Sequence, residues 1–295
     1  MRKTIPLRVW LLAARPKTLP AAVVPVALGT ALAASDGRFQ LIPALVCVLF
    51  ALLIQVGTNF ANDYFDYRSG ADNERRIGPT RAVAAGLVPP ALMWRATLIV
   101  LALAFCLGLI LIVYGGWWLL LVGVFSVLCA VAYTGGPYPL GYHGLGDVFV
   151  LLFFGFVAVM FTYYVQADAF TWGSFWTGLG AGLLINNLLV VNNARDIKTD
   201  REAGKLTLPA RFGFFFAVGQ YGISVLIAFA IPDFLYHLGY SGWVFLSMLG
   251  LPLGLLLTLM LLRADRPARF QWLLSKTALL LILYGVLLSV GILIG

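Results

Sequence analysis

The sequence predicts an all-α integral membrane protein. Composition, the lengths of the apolar stretches and the placement of charge carry that prediction. Of 295 residues, 61% are hydrophobic and only 11% are charged, and the mean hydropathy is +0.94. A soluble domain carries roughly 25% charged residues, so this chain lacks the polar residues to cover a water-facing surface. A soluble enzyme, a disordered chain and a secreted disulfide scaffold are excluded together. Cys47, Cys106 and Cys129 lie in apolar runs without CxxC spacing and read as small packing residues. His143 and His237 are isolated, which argues against a histidine metal site.

Nine apolar spans follow in order: 18–34, 41–62, 91–113, 117–134, 147–166, 172–194, 213–231, 241–262 and 272–294. Most reach the roughly 20 residues that a helix needs to cross hydrocarbon. None alternates with period two, so a β-barrel is disfavoured. Gly and Pro inside the spans are compatible with membrane helices. The first span follows a basic tail and carries Ala31-Leu32-Ala33, as a cleaved signal peptide would. Pro20, Pro25 and the eight spans that follow favour a retained helix. The expectation is one transmembrane domain, 1–295.

Charge placement gives the topology. Seventeen of the 20 Lys and Arg residues fall in the N-terminal tail and in alternate inter-span segments, and Arg95 lies just inside the third span, which puts 18 on one side. The positive-inside rule puts that side, and the N-terminus, in the cytoplasm, with the C-terminus outside. The +8 net charge therefore reads as topology, with no nucleic-acid partner expected. The long hydrophilic segments 63–90 and 195–212 both fall on the cytoplasmic side.

Acidic motifs mark the ends of two spans. The second span runs Gln55-Val-Gly-Thr-Asn59-Phe-Ala-Asn62-Asp63-Tyr-Phe-Asp66, and Asp72 follows. At 100° per residue, Asn59, Asp63 and Asp66 lie within about 60° of one another. The sixth span ends in Asn192-Asn193-Ala-Arg195-Asp196-Ile-Lys-Thr-Asp200, which puts Asn192, Asp196 and Asp200 at i, i+4 and i+8 on one face. Carboxylates within the membrane are costly, on the order of 2.5–3.5 kcal/mol for an Asp at the bilayer centre, and mark function. Taken singly, each Asp reads equally well as a solvated helix end paired with an Arg. Two matched stripes in two apolar helices repel each other unless a cation lies between them. Oxygen ligands without His or Cys suit Mg²⁺, which also keeps positions for phosphate oxygens. The motifs are about 130 residues apart. That spacing predicts two four-helix halves plus one further helix around a central cavity.

Asn62-Asp63-x-x-Asp66 with Asp72, and Asp196-x-x-x-Asp200, resemble the two aspartate-rich motifs of the UbiA superfamily of membrane prenyltransferases. The resemblance extends through nearly the whole chain. Four further blocks resemble the branch that prenylates 1,4-dihydroxy-2-naphthoate. They are Arg15-Pro-Lys-Thr-Leu-Pro20, Arg76-Ile-Gly-Pro79 with Arg81, Gly144-Leu-Gly-Asp147, and the run from Asn192 to Lys205. The resemblance implies a polyprenyl diphosphate donor, a naphthoate acceptor, Mg²⁺, release of diphosphate and CO₂, and residence in a bacterial cytoplasmic membrane. It implies metal ligands at Asp63, Asp66, Asp72, Asp196 and Asp200, with Asn59, Asn62 and Asn192 as ligands or supports. Diphosphate contacts fall to Arg76, Arg81, Arg201 and Lys205. Tyr133 and Tyr138 are expected near the allylic cation, and Lys276, Arg15 or Lys17 near the acceptor carboxylate. The Gly- and Pro-rich stretch from Tyr133 to Asp147 reads as a cap over the acceptor, and Asp147 as a helix cap or as a catalytic acceptor-hydroxyl contact or base.

Other readings compete. The acceptor could be of the 4-hydroxybenzoate type. A cation-coupled transporter would also carry acids and a pseudo-repeat, but it needs acids near the midplane. Here the opposite side offers only Asp36, Asp168 and Asp233.

Overall fold

The computed structural model describes residues 5–72 and 78–295. Every regular element among them is helical. In chain order they are α1 (Leu7–Ala14), α2 (Pro20–Ser35), α3 (Leu41–Arg68), α4 (Pro90–Gly115) and α5 (Leu119–Ala132), then α6 (Gly146–Ala167), α7 (Trp172–Glu202), α8 (Leu208–Phe212), α9 (Phe214–His237), α10 (Gly242–Leu262) and α11 (Pro267–Leu293).

Seven of these helices are long and apolar enough to cross a bilayer, and α1 with α2 would make an eighth, bent by 52°. The chain is thus a multi-pass membrane protein. The expected span 117–134 is a shorter helix of 14 residues, about 21 Å at 1.5 Å per residue. Gly116, at φ 84°, breaks the chain before it, and the turns after Tyr133 end it. Helices α3 and α7 run past their expected ends, to Arg68 and Glu202. Their polar residues carry on the helical path until Gly70 (φ 77°) and Gly204 (φ 70°), the left-handed positions that terminate helices. The acidic motifs are therefore the last turns of two helices rather than loops beyond them.

Large apolar side chains cover the outside: Val113, Trp117, Phe215 and Leu121 are all at least 72% exposed. That is the surface a bilayer solvates. Helix α7 is central, with 72% of its most apolar window buried, against 17% for α4. Its Gly178-Leu-Gly180-Ala-Gly182 run makes this possible, because small residues let backbones approach. A Cβ on Gly155 of α6 would stand 2.7 Å from the Gly178 carbonyl oxygen. Residues 151–161 of α6 are wound as a π-helix, a winding rare in proteins and frequent beside functional sites.

Candidate active site: a charged cavity at the helix ends

A cavity of about 380 Å³ opens where the C-terminal turns of α3 and α7 meet the link between α1 and α2 and the N-terminal turns of α6 and α11. Of the residues singled out from sequence, Arg15, Lys17, Asn62, Asp63, Asp66, Asp72, Arg81, Tyr133, Asp147, Asn192, Asp196, Asp200 and Lys205 all line it. The two acidic stripes, far apart in sequence, thus face one space. Tyr133 registers the convergence. Burial raises its phenol pKa above the ordinary range, and the nearby Asp147, Asp66 and Asp200 carboxylates raise it further.

Each acid has its own support. The Asp63 oxygens accept hydrogen bonds from the backbone N–H groups of Ala82 (3.0 Å) and Val83 (3.1 Å). This anchors the turn that carries Arg81. The Arg81 guanidinium then bridges two acids, with Nη2 3.4 Å from Asp66 Oδ2 and Nε 3.2 Å from Asp72 Oδ2. Asp66 also accepts from the Tyr142 hydroxyl at 2.8 Å, and Lys205 lies 5.3 Å from the centre of the Tyr142 ring. Tyr142 thereby links the first motif to the segment after the second. Asn62 accepts from the Thr134 hydroxyl at 2.8 Å, tying the expected cap loop to α3.

The break between α1 and α2 is built from α3. The Asn59 amide donates to the Ala14 carbonyl at 2.9 Å and to Thr18 Oγ1 at 3.4 Å, and Gln55 donates to Thr18 Oγ1 at 3.2 Å. Arg15 at the break is left-handed, at φ 54°, a cost of order 1–3 kcal/mol that persists only where the surroundings enforce it. Asn59 therefore acts on the cavity through Arg15 and Lys17 rather than lining it.

Three other residues singled out from sequence lie elsewhere. Arg201 is outside the lining, its Nε donating to the Ala210 carbonyl. Tyr138 is 56% exposed and stacks on His143. Lys276 stands 5.7 Å from the Trp272 ring centre, outside the lining. Arg76 lies outside the described residues.

Arg195 was counted from sequence toward the topology and the family resemblance, but was not singled out as a site residue. Arg195 lines the cavity, is 8% exposed, and grips Asp196 through Nε (2.7 Å) and Nη2 (2.6 Å). Its Nη1 is buried without a hydrogen-bond partner among the described residues. The signal was an Arg inside the acidic stripe at a helix end, indistinguishable in sequence from a positive-inside residue. Tyr142 was likewise hidden in a turn-rich loop.

No three or more of the described His, Cys, Asp and Glu side chains stand close enough to enclose a metal ion by themselves. The cavity donors are carboxylate, amide and hydroxyl oxygens. An ion here would complete its shell with water and phosphate, which is how Mg²⁺ is ordinarily held. The residues present fit that ion.

A second, apolar cavity of about 160 Å³ lies between α2, α3, α5 and α6, lined by Val26, Phe50, Ile54, Phe153, Phe161 and their neighbours. Tyr133 borders both cavities. The π-helical stretch of α6 forms one wall.

A helical membrane protein with a charged cavity at its helix ends and an apolar one beneath it is built to handle an amphiphile with an anionic head. The chain belongs to the UbiA prenyltransferase family, whose model matches residues 22–281. Among curated proteins it is 36% identical to 1,4-dihydroxy-2-naphthoate octaprenyltransferase of Escherichia coli, covering 96% of this chain and 94% of that one. It is 34% identical to the protein of the same name from Haemophilus influenzae, covering 98% and 97%. A UbiA homologue from Aeropyrum pernix superimposes with a TM-score of 0.74 at 17% identity, over 94% of this chain and 98% of that one. A homologue from Archaeoglobus fulgidus, solved with DMAPP and Mg²⁺, gives 0.62 at 16% identity, over 95% and 99%. At those identities the structures establish the fold.

Proposed function

We propose that the protein transfers a polyprenyl group from polyprenyl diphosphate to 1,4-dihydroxy-2-naphthoate, releasing diphosphate and CO₂. The observation that carries this reading is the meeting of both acidic stripes with Arg15, Lys17, Arg81, Arg195 and Lys205 in one cavity. Curated relatives named for naphthoate prenylation support the acceptor, and the Mg²⁺ and DMAPP held by the Archaeoglobus homologue support the donor.

Asp66, Asp196 and Asp200 would hold Mg²⁺, directly or through water, with Asp72 held beside them by Arg81. Asp63, anchored by the Ala82 and Val83 N–H groups, would stand beside them. The ion supplies positive charge where the diphosphate leaves. Arg195 Nη1, Arg81 and Lys205 bind the same phosphates, and Asn192 and Asn62 line the cavity beside the acids. Breaking the allylic C–O bond makes an allylic cation, and the apolar walls keep it from water. The Tyr133 ring, at the junction of the cavities, faces that cation. The isoprenoid tail occupies the apolar cavity and leaves it sideways into lipid. Arg15 and Lys17 meet the acceptor carboxylate.

In this reading the chain is one domain crossing the membrane nine times, with α5 as the short crossing. The N-terminus and the charged cavity face the cytoplasm of a bacterial inner membrane.

The test is the product formed by the purified protein with polyprenyl diphosphate, Mg²⁺ and either 1,4-dihydroxy-2-naphthoate or 4-hydroxybenzoate. A prenylated, decarboxylated naphthol by mass is expected. Prenylated hydroxybenzoate with unchanged naphthoate would overturn the acceptor assignment.

A further inference from the structure

Like Asp200, Asp147 forms no salt bridge among the described residues, whereas Asp66, Asp72 and Asp196 each pair with an Arg. Its partners are two amides from two other helices. Asn186 of α7 donates from Nδ2 to Oδ1 at 3.1 Å, and Gln220 of α9 donates from Nε2 to the same oxygen at 2.5 Å. The other ends of both amides, Asn186 Oδ1 and Gln220 Oε1, are buried without hydrogen-bond partners among the described residues. An unsatisfied buried polar atom is costly, and apolar side chains at these positions would avoid that cost. A cap for α6 needs neither amide. Two N–H donors aimed at one oxygen suit a carboxylate that is to be held still.

The place of Asp147 is equally specific. It is 7% exposed and borders the charged cavity. A Cβ on its neighbour Gly146 would stand 2.9 Å from the Tyr133 hydroxyl oxygen. Tyr133 borders the apolar cavity as well. Asp147 therefore stands at the junction, where an aromatic acceptor must meet the allylic carbon of the donor.

We infer that Asn186 and Gln220 are positioning residues that hold Asp147 to take the proton of an acceptor ring hydroxyl. The inference rests on reading the cavity as a prenyl-transfer site. As the O–H bond breaks, its electron pair becomes a ring C=O, and the ring carbon bearing the carboxylate bonds to the allylic carbon. The allylic C–O bond breaks, its pair leaves on the diphosphate, and the proton stays on Asp147. When CO₂ departs, its C–C pair restores the aromatic ring and the ring oxygen takes the proton back from Asp147. No external acid, base or oxidant is needed.

The experiment compares wild type, Asp147→Asn, Gln220→Leu and Gln220→Asn in detergent with Mg²⁺ and polyprenyl diphosphate. The acceptors are halogenated dihydroxynaphthoates of graded hydroxyl acidity. Asp147→Asn is expected to lose about 10²–10³-fold in kcat, within the usual range for general-base catalysis, and to recover part of it on the most acidic acceptors. Gln220→Leu is expected to fall about tenfold with the same steepened dependence on acidity, and Gln220→Asn to fall less. Donor KM and thermal unfolding stay at wild-type values. A uniform loss across the acceptor series, or loss of donor binding, would overturn the assignment of Asp147 and its two amides. A wild type that prenylates no acceptor would overturn the prenyl-transfer reading itself.

Discussion

Arg195 and Asp196 are adjacent in sequence, yet their side chains lock together through two hydrogen bonds of 2.7 and 2.6 Å. Neighbours at i, i+1 on a helix ordinarily point apart. Here Nε and Nη2 both go to the neighbouring carboxylate, which leaves the buried Nη1 as a donor for an anion.

Arg195→Lys keeps the charge and loses the fork. Its kcat/KM for the prenyl diphosphate is expected to fall between about tenfold and a hundredfold, the worth of a charge-assisted hydrogen bond. Steady-state kinetics with the donor varied measures this. Wild-type kinetics would remove Arg195 from the diphosphate site.

Asp66→Asn and Asp196→Asn preserve size and remove one charge each. Both are expected to lower product formation on the order of 10²–10³-fold, the scale for losing one electrostatic element of a preorganised site. Chelation with EDTA should abolish turnover, and added Mg²⁺ should restore it. Turnover that survives EDTA would exclude the metal.

Tyr142 links pH to stability. Burial, with the Asp66 carboxylate next in weight, raises the pKa of its phenol well above the ordinary 10.0. Because the folded value exceeds the unfolded one, the stabilisation is complete below about pH 10 and is lost above it. Tyr142→Phe should therefore flatten the fall of thermal stability between pH 10 and 11, measured in detergent by calorimetry. An unchanged alkaline slope would count against the Tyr142–Asp66 contact.

Gly155→Val tests the packing of the central helix. The added Cβ meets the Gly178 carbonyl oxygen at 2.7 Å, so the backbones must separate. A loss of about 1–3 kcal/mol is expected, as for other overpacked cores, read as a lower unfolding temperature in the same detergent. An unchanged temperature would show that α6 and α7 are free to move apart.

The Asn59 amide joins α3 to the Ala14 carbonyl. Asn59→Leu should raise the acceptor KM several-fold while leaving the donor KM unchanged, since Arg15 and Lys17 lose their fixed backbone. Equal effects on both would place Asn59 elsewhere in the reaction.

The sequence by itself determined the helical membrane class and the two acidic stripes, because apolar run length and 100° periodicity are local properties of the chain. Asn62, Asp63, Asp66, Asn192, Asp196 and Asp200 were legible for that reason. Tertiary structure decided how the charges pair. Arg195 and Arg201 look alike in sequence, yet one is buried against Asp196 and the other is spent on the Ala210 carbonyl. It also decided that Asn186 and Gln220 meet on Asp147, and that α5 is short. Those outcomes depend on where separate helices cross, and crossing is set by small-residue contacts such as Gly155 on Gly178, which no single helix encodes.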